Sequence, residues 1–109
     1  MDEKRAVVAL GALAQESRLK VFRLLVRRGP SGLAAGEISQ RVGVPPTTLS
    51  FHLAQLNRAG LVTSRREGRS ILYAADYDGM QTLMGFLVDH CCQDGTGCAP
   101  PEAAPRRRR

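Results

Sequence analysis

The sequence predicts a mainly α-helical domain with one β-hairpin, its elements following in the order α-α-α-α-β-β-α. Apolar residues recur at helical spacing through five stretches. A short helix is separated from a second, amphipathic helix by a turn that contains Gly43. Two short runs rich in β-forming residues flank Glu67-Gly68-Arg69. Together these observations predict a winged helix-turn-helix of five helices and two strands.

The composition limits the classes of partner. A chain of 109 residues suits one domain with a thin core, which dimerisation would extend. The net charge of +6 favours a polyanion, although four of the arginines lie together at 106–109. Trp is absent and aromatic residues are few, which argues against binding single strands by base stacking. We do not expect an enzyme, because no nucleophile–base pair or glycine-rich phosphate loop can be assembled.

The N-terminus has a superficial likeness to an export signal. Lys4 and Arg5 precede an apolar run, residues 6–14, that ends in small residues. However, Asp2 and Glu3 lie where such a signal is basic, and the run is short. No stretch approaches the ~20 apolar residues of a membrane span. We therefore expect a cytoplasmic protein whose thiols stay reduced.

The first two helices are predicted over residues 2–14 and 16–28. In the first, Val7, Leu10 and Ala14 form an apolar face that Val8 and Leu13 widen. The second is apolar over most of its circumference, as a central helix would be. Leu19, Phe22, Leu25 and Val26 are predicted to face one way, and Val21 and Leu24 widen this stripe. Its interleaved basic residues are interpreted mainly as a solvated face.

The helix-turn-helix follows the loop at residues 29–32. A short helix over residues 35–42 ends at Gly43, and a longer one begins at Pro46, which suits the first helical position. Leu49, Leu53 and Leu56 line one side of this second helix. The other side is small, hydrogen-bonding and free of acids, so it could approach base edges in a major groove. The candidate DNA-contact residues of this helix are Thr47, Thr48, Ser50, Phe51, His52 and Gln55. His52 lies near the leucine side, where packing or a phosphate contact is the alternative to contacting a base.

The wing is predicted from two strands, residues 61–66 and 70–74, joined by a turn over 67–69. Arg65, Arg66 and Arg69 cluster at the hairpin tip. Arginines on an exposed turn are often no more than a soluble surface. Beside a recognition helix, we predict that they contact phosphates or the minor groove of double-stranded operator DNA.

The last helix is predicted over residues 76–92. Its apolar stripe contains Met80, Leu83, Met84, Leu87, Val88 and Cys91. This is more apolar surface than one small protomer needs, so we assign the first and last helices to a homodimer interface. The alternative is that the stripe closes the core of the monomer. Residues 1–92 then form the DNA-binding and dimerisation domain, and residues 93–109 form a flexible tail.

All three cysteines lie at the end of this helix, as Cys91, Cys92 and Cys98. Glycines at 95 and 97 would allow Cys98 to turn back over the helix end, which makes a cup of three sulfur atoms. Soft thiolates select soft ions, and trivalent arsenic or antimony takes three sulfurs. A Zn²⁺ or Cd²⁺ site completed by His90 is an alternative, as is redox sensing through a disulfide or persulfide.

Several motifs together resemble the ArsR–SmtB family of bacterial winged-helix repressors. The matching segments are Ser-Arg-Leu-Lys-Val-Phe-Arg-Leu-Leu at 17–25, Gly-Glu-Ile-Ser at 36–39, Leu-Ser-Phe-His-Leu at 49–53, Leu-Asn-Arg-Ala-Gly-Leu-Val at 56–62 and Arg-Glu-Gly-Arg at 66–69. The resemblance spans most of residues 6–92. It implies a homodimeric repressor that releases its operator when an inducer binds.

The resemblance also bears on the inducer. The arsenic-sensing founders of the family carry a Cys-Val-Cys motif in the helix before the recognition helix, and residues 36–41 here contain no cysteine. The cysteines at the end of the last helix instead resemble a separate arsenite-sensing branch. That likeness implies Cys91, Cys92 and Cys98 as As(III) or Sb(III) ligands and an arsenic-resistance operon as the target. The family's carboxylate–histidine zinc site is poorly matched, because Asp89 and His90 are adjacent. A protein–protein docking module of the same fold is the rival from another class.

Overall fold

The computed structural model of the chain describes residues 1–95. Five helices and three strands follow one another: α1 Glu3–Leu13, α2 Glu16–Arg28, β1 Leu33–Ala34, α3 Ala35–Val42, α4 Pro46–Arg58, β2 Val62–Glu67, β3 Ser70–Ala75 and α5 Tyr77–Val88. The predicted winged helix-turn-helix is confirmed, with one strand more than expected. No helix in this part of the chain is long and apolar enough to cross a membrane.

The helix boundaries follow local capping signals. The Asp2 side chain accepts from the backbone N–H of Arg5 and caps α1, and Gln15 does the same for α2 through Arg18. Gly43 adopts a left-handed conformation, φ 81°, and ends α3. Helices α2, α3 and α4 begin and end as the sequence predicts.

The third strand is β1, which pairs antiparallel with β3 and makes β3 the centre of a sheet ordered β1-β3-β2. Two residues are too short a run to show strand periodicity, so the sequence did not predict it. Its approach to β3 depends on Gly32, where an added Cβ would lie 2.7 Å from the carbonyl oxygen of Tyr73.

The core surrounds α2, which packs against α1, α3, α4 and β3. The largest side chains fully inside it are Val21, Leu25, Leu33, Ile38, Leu49, Leu56, Leu61 and Val62. Within the predicted apolar stripe of α2, Val21, Phe22, Leu24 and Leu25 are buried, whereas Leu19 is exposed, so its predicted inward position is wrong. An apolar pattern that covers most of a helix does not reveal which side meets the other elements.

Helix α1 packs on the rest of the protomer through its alanines. This helix turns Ala6, Ala9 and Ala12 into the protomer, and leaves Val7 and Val8 exposed. Alanines let α1 approach its neighbours closely, so the larger residues point away. The larger residues of the predicted apolar face are therefore left on the surface of the protomer, where the sequence assigns α1 to a dimer interface.

The last helix is shorter than predicted. It ends at Val88 instead of Cys92, and His90 and Cys92 have positive φ angles of 63° and 64°. Leu83 is the buried residue of α5, whereas Leu87 and Val88 are exposed. Continuing the helix would therefore gain no packing within the protomer, which is what stabilises most helices. Cys91 consequently does not extend the apolar stripe.

Candidate nucleic-acid interface

The recognition surface is the exposed side of α4. Leu49, Leu53 and Leu56 are buried and fix the helix against the core, as predicted. On the opposite side, four of the predicted DNA-contact residues are exposed and Gln55 is half-buried. The exposed four are Thr47, Thr48, Ser50 and Phe51. We call these four residues together with Gln55 the recognition face. It offers hydroxyls, an amide and one aromatic ring to a groove.

The turn before α4 orients this face. The backbone N–H of Gly43 donates to the carbonyl of Ser39, and the Ser39 hydroxyl donates to the carbonyl of Val44. Pro46 then starts α4 where a missing N–H costs no hydrogen bond. Both helices of the pair are thus joined rigidly, as a helix-turn-helix requires.

His52 does not lie on the recognition face. Its side chain is only 5% exposed, and its Nδ1 accepts a hydrogen bond from Nε of Arg18 at 3.1 Å. Burial and, to a smaller degree, the Arg18 charge lower the pKa of His52 below its ordinary value of 6.5. The neutral ring therefore carries its proton on Nε2. The expectation that His52 faces DNA is corrected to a buried position beneath the helix surface.

Arg18 is a site residue that sequence reasoning missed. Its Cζ lies 5.6 Å from the centroid of the Phe51 ring, a cation–π arrangement at the edge of the recognition face. In the sequence it is one of five basic residues in α2, which were interpreted together as a solvated face. Helical spacing alone could not show that this one lies against α4.

The wing separates its arginines. Arg65 donates from Nη1 to the carbonyl of Pro30 at 3.0 Å and from Nη2 to that of Ser31 at 2.9 Å. Its Nε lies 3.5 Å from the Glu67 carboxylate. Neighbouring strand residues point to opposite faces, so Arg66 projects away from Arg65. Arg65 therefore ties the wing to the loop after α2 and does not project to the same face as Arg66.

The cysteine segment follows the end of α5. Cys91 and Cys92 are exposed, and their Sγ atoms lie 3.3 Å apart. His90 contacts the Gln93 side-chain oxygen through Nδ1, and its Nε2 lies 3.5 Å from the Asp89 carboxylate. Within residues 1–95, no group of three or more His, Cys, Asp or Glu side chains is placed to hold a metal ion. The predicted ligand Cys98 and the arginines at 106–109 lie outside the described residues.

An exposed apolar surface covers one side of α1 and α5, which contact each other. We call it the α1–α5 apolar face; it contains Val7, Val8, Leu10, Met84, Leu87 and Val88. Each of these side chains is at least 42% exposed in the protomer. Contiguous apolar surface of this kind marks an interaction site.

Known proteins share this sequence and architecture. Residues 13–65 match a family model described as a helix-turn-helix domain. The transcriptional activator HlyU of Vibrio cholerae is 35% identical over 92 residues, which cover 84% of this chain and 82% of HlyU. A Halobacterium salinarum protein provisionally described as an arsenical resistance operon repressor, ArsR, is 41% identical over 80 residues, 73% of this chain and 61% of that protein.

Solved structures agree with these relatives. Reduced HlyU from Vibrio cholerae superposes with a TM-score of 0.60 at 33% identity, over 83% of this chain and 92% of that one. A homodimeric winged helix-turn-helix DNA-binding domain from Mycobacterium bovis gives a TM-score of 0.65 at 26% identity, over 88% of this chain and 89% of that one. The relatives named here are transcriptional regulators, not enzymes.

Proposed function

Because the chain belongs to the ArsR–SmtB family of winged-helix, DNA-binding transcriptional regulators, we propose that it is a homodimeric repressor of an arsenic-resistance operon. The protein binds operator DNA in the absence of inducer, and leaves it when As(III) or Sb(III) binds Cys91, Cys92 and Cys98. The cytoplasm, where thiols are kept reduced, is its place of action.

The pair of adjacent sulfur atoms carries this proposal. The Sγ atoms of Cys91 and Cys92 are 3.3 Å apart on exposed side chains, a separation that one soft ion can bridge when both are reduced to thiolates. Cys98 follows six residues later, with Gly95 and Gly97 in between. Three thiolates match the three-sulfur preference of trivalent arsenic, which needs no carboxylate or imidazole. The donor set therefore fits As(III) or Sb(III).

A zinc or cadmium site is the weaker alternative. Structural Zn²⁺ takes four tetrahedral ligands, and the nearest imidazole is that of His90. Both nitrogens of this ring already have partners, in Gln93 and Asp89. To serve as the fourth ligand, the His90 ring would have to break one of those contacts.

Release of DNA requires a route from α5 to the recognition helix. The backbone N–H of Asp76 donates to the carbonyl of Leu61 at 2.8 Å. Gly79 lies so close to Gly60 that an added Cβ would come within 1.9 Å of its carbonyl oxygen. A shift of α5 thus acts directly on the end of α4. By linkage, the inducer binds the DNA-free form more tightly, with a coupling free energy of ~1–3 kcal/mol.

A redox-responsive regulator is a second candidate, favoured by one observation. HlyU is among the relatives, and one of its solved structures is titled as the reduced form. The same thiols in this chain would then respond by forming a disulfide or a persulfide.

Replacing each cysteine by serine tests the proposal. Operator affinity is measured by fluorescence anisotropy on the reduced protein, and release is followed during titration with arsenite, antimonite, Zn²⁺ or Cd²⁺. We expect C91S, C92S and C98S to bind the operator as the wild type does and to lose release by arsenite. Asp94→Asn, in the same segment, is the matched control and should still release DNA. Arsenite release that persists in all three variants would show that the site is assigned wrongly, and release by an oxidant alone would favour the redox function.

A further inference from the structure

The recognition helix lacks basic residues over most of its length. Residues 46–57 contain no Lys, Arg, Asp or Glu, and Arg58 lies in the last turn of α4. Phosphates line both walls of the major groove, and contacts with them hold a recognition helix in register. The cations that flank the first turns of α4 must therefore come from neighbouring elements.

Arg18 of α2 is placed to supply such a cation. Its guanidinium lies against the exposed Phe51 ring, and its Nε donates to the buried His52. The side chain is thereby held between two residues of α4, at the edge of the recognition face. The ion pairs recorded within residues 1–95 do not include Arg18, so no carboxylate neutralises it there.

We propose that Arg18 binds a backbone phosphate at the wall of the major groove, and that His52 and Phe51 are positioning residues for its guanidinium. A helix about 10–12 Å across nearly fills a major groove about 12 Å wide. A cation at the edge of that helix therefore meets the phosphates rather than the base edges. Such a contact raises the affinity for every DNA sequence and does not distinguish one sequence from another.

His52 suits the positioning role because its ring is neutral and buried. Nδ1 keeps a lone pair that accepts from Nε of Arg18, which leaves the two Nη atoms for an anion. Phe51 holds the plane of the guanidinium from the exposed side. The inference rests on DNA binding by the family and not on the identity of the inducer, so reduced protein without arsenite is the material for its test.

The test is the salt dependence of DNA binding for Arg18→Gln. Affinity is measured by anisotropy between 50 and 300 mM KCl, on an operator duplex and on an unrelated duplex of equal length. We expect about tenfold weaker binding to both, and a slope of log K against log[salt] that is shallower by about 0.9 per protomer. Arg18→Lys keeps the charge and should keep the slope.

Arg23→Ala is the matched control from the same helix. Arg23 lies five residues along α2 and so on another side of it, in a groove with Lys20, Arg27 and Arg41. For Arg23→Ala, the slope of log K against log[salt] should equal that of the wild type. A folded Arg18→Gln variant with the wild-type slope would overturn the proposal, as would an equal loss of slope in Arg23→Ala. If Arg18→Gln does not fold, Arg18→Met, which removes the charge but keeps an unbranched side chain beside Phe51, replaces it, and a wild-type slope in that variant overturns the proposal.

His52 variants separate positioning from folding. His52→Leu removes the acceptor but keeps Arg18, so we expect weaker binding with an unchanged slope. His52→Asn offers an amide oxygen in place of Nδ1, and should recover most of the affinity. Thermal melting of each variant gives its stability. If affinity follows the melting temperature and His52→Asn gives no recovery, the positioning role is rejected.

Discussion

At the scale of single residues, His52 has the most unusual environment in the described chain. Burial of this imidazole, which is 5% exposed, and the adjacent Arg18 guanidinium lower its pKa and so favour its neutral form. Protonation would put a second positive charge beside Arg18 and remove the acceptor for its Nε. The structure therefore links the protonation of this side chain to the packing of α4 on α2.

This environment predicts a loss of stability in mild acid. The pKa of His52 is lower in the folded protein than its ordinary value of 6.5, so below pH 6.5 the unfolded chain binds more protons. The free energy of unfolding should fall as the pH drops below 6.5, and level off below the folded pKa. Urea unfolding of the wild type and His52→Asn, from pH 7.5 to 5.0, measures this contribution as the difference between the two. A difference that does not change with pH would contradict the assignment.

At the scale of elements, the wing combines two roles in adjacent residues. Arg65 is bound to the carbonyls of Pro30 and Ser31, and so ties β2 to the loop that leads into β1. Arg66 and Arg69 are exposed and have no such bonds to that loop among the contacts described. The wing is thus anchored by one arginine, which leaves the other two able to reach DNA.

This division predicts different outcomes for neighbouring substitutions. Arg66→Ala should lower the slope of log K against log[salt] by about 0.9 per protomer if it contacts phosphate, with little change in the melting temperature. Arg65→Ala should instead lower the melting temperature, because it removes two hydrogen bonds from a charged donor. Each of these bonds contributes at most about 1.5–3 kcal/mol to the free energy of unfolding. Salt titrations and thermal melts of the two variants decide the matter. Identical behaviour of both would argue against separate roles.

At the scale of the whole molecule, the packing of the protomer does not explain the exposed α1–α5 apolar face. Its apolar side chains lie on α1 and α5, whose inward sides are occupied by small residues and by Leu83. One solved neighbour, which is 26% identical to this chain, is titled homodimeric. Joining two copies here would place two recognition helices on one molecule, as reading two half-sites requires.

We therefore predict that Leu87→Glu disrupts the dimer. Leu87 is 55% exposed in the protomer, so the change should spare the fold but bury an unpaired charge at the interface. We expect monomers at micromolar concentration in analytical ultracentrifugation and at least tenfold weaker operator binding. Leu19→Glu, at an exposed apolar position of α2, is the control that should stay dimeric. A dimeric Leu87→Glu would move the interface elsewhere.

The sequence alone determined the order of elements, and most of their ends, because those signals are local. Gly43 and Pro46 bound the turn of the helix-turn-helix, and the leucines of α4 mark its buried side through their spacing. The family followed from the same short motifs. The exposed part of the candidate DNA site could be predicted in this way, since solvent-facing positions follow from helical spacing.

Only the tertiary structure decided which surfaces meet. It turned the alanines of α1 inward, added β1 beside β3, ended α5 at Val88 and placed Arg18 between Phe51 and His52. Each of these depends on contacts between residues far apart in the chain. Periodicity and capping report only on neighbours within a few residues, so they carry no information about such contacts.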